Sequence, residues 1–217
     1  MSVIEARPDI DPHPLSPYVA WAGNRNKEPI LAVLRGLLPE KGDVLELASG
    51  AGLHINYFAP YFPQLTFHPS DKDVSVFDTI KGKRADAGNK NVADPVALDL
   101  TDPASWPAPR NGLFDAIFVI NIFQVAPVSI AEGIAALGAK VLKPNGFIAI
   151  YGPFKLNGKF TTQSNASFDG ELRAAGVSEW HLKDVADLEK AANKHGLVLK
   201  TRFDLPANNF ILQFVRA

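Results

Sequence analysis

The chain has no cysteine among its 217 residues, which excludes disulfides and every thiolate metal site. Its five histidines, at positions 13, 54, 68, 181 and 195, show no ligand spacing such as His-Glu-x-x-His, so no bound metal is expected. Charge of one sign is lacking too. The 22 basic and 23 acidic residues leave a formal net charge of −1, which gives no electrostatic footprint for nucleic acid or an anionic membrane. No apolar run reaches the roughly 18 residues that a membrane span needs. The stretch from Met1 to Pro14 also lacks the basic-then-apolar layout of a secretory leader. These absences lead us to expect a cytoplasmic protein with a small-molecule substrate and neither nucleic acid nor membrane as partner, working as a monomer or homodimer.

What is present is ordinary globular composition, 47% hydrophobic and 21% charged. A chain of this length is expected to form one domain with a sizeable core. Residues 1–17 carry four prolines and few large apolar residues, so we expect an extended N-terminal arm ahead of a single domain at 18–217. Helical spacing of Ile30, Leu31, Leu34, Leu37 and Leu38 predicts a helix over 24–38, with Pro29 in its first turns. Strands are predicted at 43–48, 64–68, 95–99, 114–120 and 146–151, and helices at 52–61, 72–81, 129–142 and near 184–195. Two last strands, 197–204 and 209–215, flank a short turn at Pro206-Ala207-Asn208-Asn209. Strands alternating with helices imply right-handed crossovers and a parallel sheet. The expected fold is therefore α/β and doubly wound: a mostly parallel seven-stranded sheet closed by a C-terminal antiparallel pair. Residues 152–183 read as an irregular covering with one short helical pattern near 167–175.

The most informative stretch is Asp43-Val44-Leu45-Glu46-Leu47-Ala48-Ser49-Gly50-Ala51-Gly52-Leu53-His54. An apolar run carrying Glu46 breaks into a small-residue turn and then a helix start, the place where an open α/β sheet binds a nucleotide-like ligand. Gly50 and Gly52 would let backbone approach that ligand closely. The turn lacks the three spaced glycines of the dinucleotide fingerprint. It fits better the acidic-x-Gly-x-Gly-x-Gly pattern of class I S-adenosylmethionine-dependent methyltransferases, with Ala48 in place of the first glycine.

Other predicted strand ends add to this pattern. Asp71 follows Glu46 by 25 residues, where a carboxylate can accept from both ribose hydroxyls; a helix cap is its alternative role. Asp99 would accept from an adenine amino group and Leu100 would cover the ring, unless Asp99 only forms a turn. Asn121 through Gln124 emerges from the fourth strand, where a methyl group would be transferred.

With these residues in place the chain resembles the DUF938 family, a methyltransferase-like group. The resemblance runs from about residue 16 to the C-terminus. It is carried by Asn24-Arg25-Asn26-Lys27-Glu28-Pro29-Ile30, Leu45 to His54, His68-Pro69-Ser70-Asp71, Asn121 with Pro127, and Tyr151-Gly152-Pro153-Phe154. Ser164-Asn165-Ala166-Ser167-Phe168-Asp169 and Pro206-Ala207-Asn208-Asn209 complete it. It implies a class I fold and S-adenosylmethionine binding, with no settled substrate. Two departures stand out. Gln124 and Val128 replace a family histidine and tryptophan, and Trp180-His181-Leu182-Lys183-Asp184 replaces Trp-Gly-Ile-Arg-Asp. Glutamine cannot act as a base near neutral pH, and lysine binds anions with a different geometry from arginine.

The expected function is methyl transfer to an oxygen or nitrogen of a small molecule. His54, Gln124 and Asn121 are the candidates at the reacting centre. Glu46, Ala48, Gly50, Gly52, Asp71, Asp99, Leu100, Asn121 and Arg25 are the candidates for holding S-adenosylmethionine. Tyr18, Asn24, Tyr151, Phe154, Asn165 and Phe168 are expected on the substrate side. Three alternatives stay open: a non-catalytic binder of the same cofactor, a nucleotide-dependent oxidoreductase, and an interaction module.

Overall fold

The structure, a computed structural model, describes residues 6–107 and 113–217. The arm expected over 1–17 is therefore seen from residue 6, and its first five residues lie outside the described part. Ser16 ends the arm by capping the first helix, its Oγ accepting from the Val19 N–H at 3.1 Å. Helix α1 runs Pro17–Leu37, with proline at the first helical position, where its missing N–H costs nothing. This helix begins earlier than its apolar spacing suggested. Pro29 consequently lies mid-helix rather than in the first turns, and removes the donor that the Arg25 carbonyl would otherwise meet.

Among the described residues, seven strands form one sheet in the order β3-β2-β1-β4-β5-β7-β6. They are β1 (Gly42–Leu47), β2 (Leu65–Asp71), β3 (Val96–Ala97), β4 (Phe114–Ile120), β5 (Leu142–Pro153), β6 (Leu197–Leu205) and β7 (Asn209–Arg216). The first five pair in parallel, and β7 runs antiparallel between β5 and β6. The doubly wound, mostly parallel sheet with its closing antiparallel pair is thus as the alternation of elements implied. Helices α2 (Leu53–Phe58), α3 (Phe77–Asp86), α4 (Ile130–Val141), α5 (Gln163–Ala174) and α6 (Val185–Asn193) supply the coverings.

Alternate strand residues feed two cores, because successive side chains point to opposite faces. Leu45, Leu47, Ile117, Val119, Ile148 and Ile150 pack with α4 and α6 through Ile134, Leu137 and Leu188. Val44, Phe118 and Ala149 pack the other way, against Ile30 and Leu34 of α1 and Ile55 and Phe58 of α2. The segment expected to be irregular contains all of α5. Asp169 braces it by accepting from the Leu182 N–H at 2.7 Å and from Arg173 Nε at 2.6 Å. Lys183, in the place of the family arginine, is buried and donates to the carbonyls of Glu179 and His181. It ties down a loop. Burial lowers its pKa to about 8.

The chain turns from β1 to β2 on one side and returns to β4 on the other. That reversal opens a crevice at the carboxyl ends of β1 and β4, where ligands of open α/β sheets bind.

Candidate functional site

A cavity of about 1130 Å³ fills this crevice. It exceeds the roughly 300–1,000 Å³ of a typical single-ligand site, so it has room for two small molecules side by side. Its floor is the turn after β1. Ala48 sits at φ +51, a left-handed conformation that costs a residue with a Cβ about 1–2 kcal/mol. The missing first glycine is therefore tolerated with strain. Gly50, at φ +52, lines the cavity beneath the arm, where an added Cβ would come within 3.4 Å of Pro14 Cβ.

Asp71 ends β2 beside that turn. Its Oδ2 accepts from the Gly50 N–H at 2.9 Å and its Oδ1 from the Asp73 N–H at 2.9 Å. Asp73 caps the next short helical turn by accepting from the Ser75 N–H, which leaves Asp71 facing the cavity. Asp99 lines the neighbouring wall. Thr101 donates to its Oδ1 from both N–H and hydroxyl, at 2.8 and 2.7 Å. These bonds hold the Asp99 pKa below the usual carboxylate range. Leu100 lies beside it in the wall, and Asn121, at φ +56, forms the turn at the end of β4.

Gln124 is buried in the cavity wall, and its Oε1 has no hydrogen-bond partner among the described residues. A buried carbonyl oxygen without a partner carries a desolvation cost that a ligand donor would relieve. His54, also in the wall, meets Asn26 Oδ1 through Nε2 at 2.7 Å. Burial, then the nearby Lys27, lowers its pKa to about 3. Tyr151 is buried and its pKa is raised to about 12, mainly by desolvation, against a hydrogen bond from Asn26. Tyr18, Arg25, Asn165 and Phe168 complete the expected residues on the wall. The Arg25 guanidinium lies over the Trp21 ring, 5.0 Å from its centroid.

Four expected residues stand elsewhere. Glu46 is buried under the turn, its Oε2 without a hydrogen-bond partner among the described residues, and it does not line the cavity. Burial, opposed by a hydrogen bond from Ser49 and reinforced by Asp71, raises its pKa to about 8. Gly52 begins α2 at φ +69 outside the cavity lining, and a Cβ there would press on Ile80 and Asn56 at 3.1 Å. Asn24 points outward and accepts from Lys27 Nζ at 2.8 Å. Phe154 is fully buried, its ring 6.0 Å from that of Phe123 in the α4 core. Parity explains it, since the residue after Pro153 turns to the face opposite Tyr151.

Asn26, Trp21 and Glu171 line the cavity, as do Arg7 and Pro14 of the arm, and the sequence reading assigned them no role in the site. Arg7 pairs with Glu171 of α5, so the arm crosses the mouth instead of lying apart from the core. A bridging Asn or an arm contact has no periodic signal, because it depends on where α1 and α5 meet in space.

The fold is the one found in solved methyltransferases. Solved structures agree over most of the chain. One is an O-methyltransferase family protein from Burkholderia thailandensis (15% identity, TM-score 0.74, 92% of this chain and 60% of that one). Another is CalO1, a methyltransferase in calicheamicin biosynthesis, in its SAH-bound form (16%, 0.72, 92% and 56%). A third is NcsB1, an O-methyltransferase from neocarzinostatin biosynthesis, in complex with S-adenosylmethionine and 2-hydroxy-5-methyl naphthoic acid (12%, 0.71, 92% and 57%). The chain thus spans less than two thirds of each of these proteins. The family model that matches is DUF938, described as a protein of unknown function, over residues 17–216. The chain belongs to the DUF938 family.

Proposed function

We propose that the protein is an S-adenosylmethionine-dependent methyltransferase acting on an oxygen or nitrogen of a small molecule. One observation carries the reading: the Gly50 N–H at the tip of the first turn is held at 2.9 Å by the terminal carboxylate of β2, and both residues face one cavity. That cradle suits an adenosyl group. Asp71 has lone pairs left for a ribose diol, Asp99 Oδ2 for an adenine amino group, and Leu100 an apolar surface for the ring. Ala48 and Asn121 border the space where β1 and β4 end.

S-adenosylmethionine, when bound, supplies a methyl group already activated on a cationic sulfur. The residues of this chain therefore have to hold an acceptor in line rather than create an electrophile. Tyr18, Trp21 and Phe168 offer flat apolar walls for that acceptor, and Arg25 offers a cation for a carboxylate. Gln124 accepts a hydrogen bond from the bound molecules through its buried Oε1 and takes up no proton near neutral pH. The same glutamine, standing where the family has histidine, favours one second reading: a protein that binds the cofactor without transferring its methyl group.

Calorimetry with S-adenosylmethionine, S-adenosylhomocysteine and NAD tests the binding half. The first two are expected to bind and NAD is not. NAD binding alone would make the protein an oxidoreductase, and binding of none would leave an interaction module. Incubation of a metabolite extract with methyl-labelled donor then separates enzyme from binder, since only the enzyme yields a labelled product.

A further inference from the structure

Asn26 is buried on α1 and lies on the cavity wall between two side chains of other elements, His54 of α2 and Tyr151 of β5. Its Oδ1 is 2.7 Å from His54 Nε2, and its side chain lies close enough to the Tyr151 phenol to oppose the rise that burial gives that group's pKa. With the amide oxygen turned to the imidazole, the N–H end is the one left for the phenol. A carbonyl oxygen only accepts, so Nε2 carries the hydrogen and a neutral ring then has its lone pair on Nδ1. A phenol oxygen that accepts from that N–H keeps its own O–H to give.

We propose that Asn26 is the positioning residue of the acceptor subsite. With one amide it fixes His54 as the Nε2-protonated tautomer and orients Tyr151, so that together they select a methyl acceptor whose reacting group both donates and accepts. An uncharged hydroxyl or amine fits that pair. A carboxylate fits badly, because it would set lone pairs against Nδ1 and has no hydrogen to offer. Protonation of the ring would rescue a carboxylate, but it is opposed by burial and by Lys27, the charged neighbour on α1. On the ring's other sides lie Phe58, at 5.8 Å between ring centroids, and the Gly23 backbone of α1. His54 thus orients the acceptor as a hydrogen-bond partner and is not a proton store.

The inference rests on the methyltransferase reading, and its test has a readout that needs no methyl transfer. Nitrogen NMR of the full-length protein labelled on histidine should show His54 protonated on Nε2 only, unchanged down to about pH 5. Asn26→Asp, close in shape, should bring a charged imidazolium at His54 into the neutral range. Asn26→Leu should abolish the single tautomer. In the labelled-extract assay, Asn26→Leu should lower transfer about tenfold or more while S-adenosylhomocysteine affinity stays within about twofold. An Nδ1-protonated ring, ordinary titration near pH 6.5, or a tautomer indifferent to both substitutions would overturn the proposal. Equal loss of transfer and cofactor affinity would do the same by making Asn26 merely structural. If the wild-type protein binds no S-adenosylhomocysteine, the methyltransferase reading falls, and the NMR result still decides whether Asn26 sets the tautomer.

Discussion

The half of the cavity at the ends of β1, β2 and β4 is built from strand-end turns and the residues on them, whereas the half under α1, α5 and the arm is built from side chains that meet across the fold. In the first half the Gly50 N–H, the Asp71 carboxylate and the turn at Asn121 follow from where parallel strands end. In the second half Asn26 reaches His54 of another helix, Asn165 Nδ2 reaches the Asn208 carbonyl at 3.4 Å, and Arg7 reaches Glu171. Exposed pairs of that last kind contribute about 0–1 kcal/mol at most. On the proposed methyltransferase reading, the contrast suits a donor common to many enzymes beside an acceptor particular to one.

The largest expected effect tests where the second half stops. Phe154→Ala empties a fully buried ring site in the core and should cost about 3–5 kcal/mol of stability, read by denaturant unfolding. At temperatures where the variant is folded, S-adenosylhomocysteine binding should be intact. A variant of normal stability that loses ligand binding would return Phe154 to the site.

Glu46 tests whether the floor of the first half is ordered by stability or by ligand. Its folded pKa of about 8 lies above the ordinary carboxylate value, so the folded chain keeps a proton that the unfolded chain has lost. Stability therefore falls as pH rises from about 4.5 to about 8, with the full penalty above that. Glu46→Gln removes the slope. It should match the wild type near pH 5 and exceed it by a few kcal/mol above pH 8. Parallel stability curves across that range would show that Glu46 is ionised in the folded protein.

Asp71→Ala sharpens the comparison from the donor side. The loss of a charged acceptor should weaken S-adenosylhomocysteine binding about tenfold or more, roughly 1.5–3 kcal/mol, with calorimetry as the measure. Unchanged affinity would remove Asp71 from the donor subsite and leave it only as the tie to Gly50.

Much of the fold was legible because period and punctuation agree. The run Phe114 to Ile120 is the strand observed, and the breakers at Lys143-Pro144-Asn145-Gly146 and Gly196 fall near the ends of α4 and α6. Boundaries were missed where apolar spacing is silent. The start of α1 is set by the Ser16 cap and Pro17, and β5 starts early because Leu142 pairs with Phe114, with Lys143 to Gly146 outside the register until Phe147 pairs with Ala116. Within the site, Ala48, Gly50, Asp71, Asp99, Leu100 and Asn121 follow from strand ends and do line the cavity. Glu46, Gly52 and Phe154 occupy equally suggestive places in sequence, but sheet parity and helix packing turn them away.

Taken alone, the order of residues determined the alternation of strands and helices, the glycine turn and the carboxylates at strand ends, because those depend on spacing along one chain. Only the tertiary structure decided that an asparagine on α1 meets a histidine and a tyrosine from two other elements, and that the arm runs over the crevice. Such contacts arise from how distant segments pack, and packing leaves no period in the sequence.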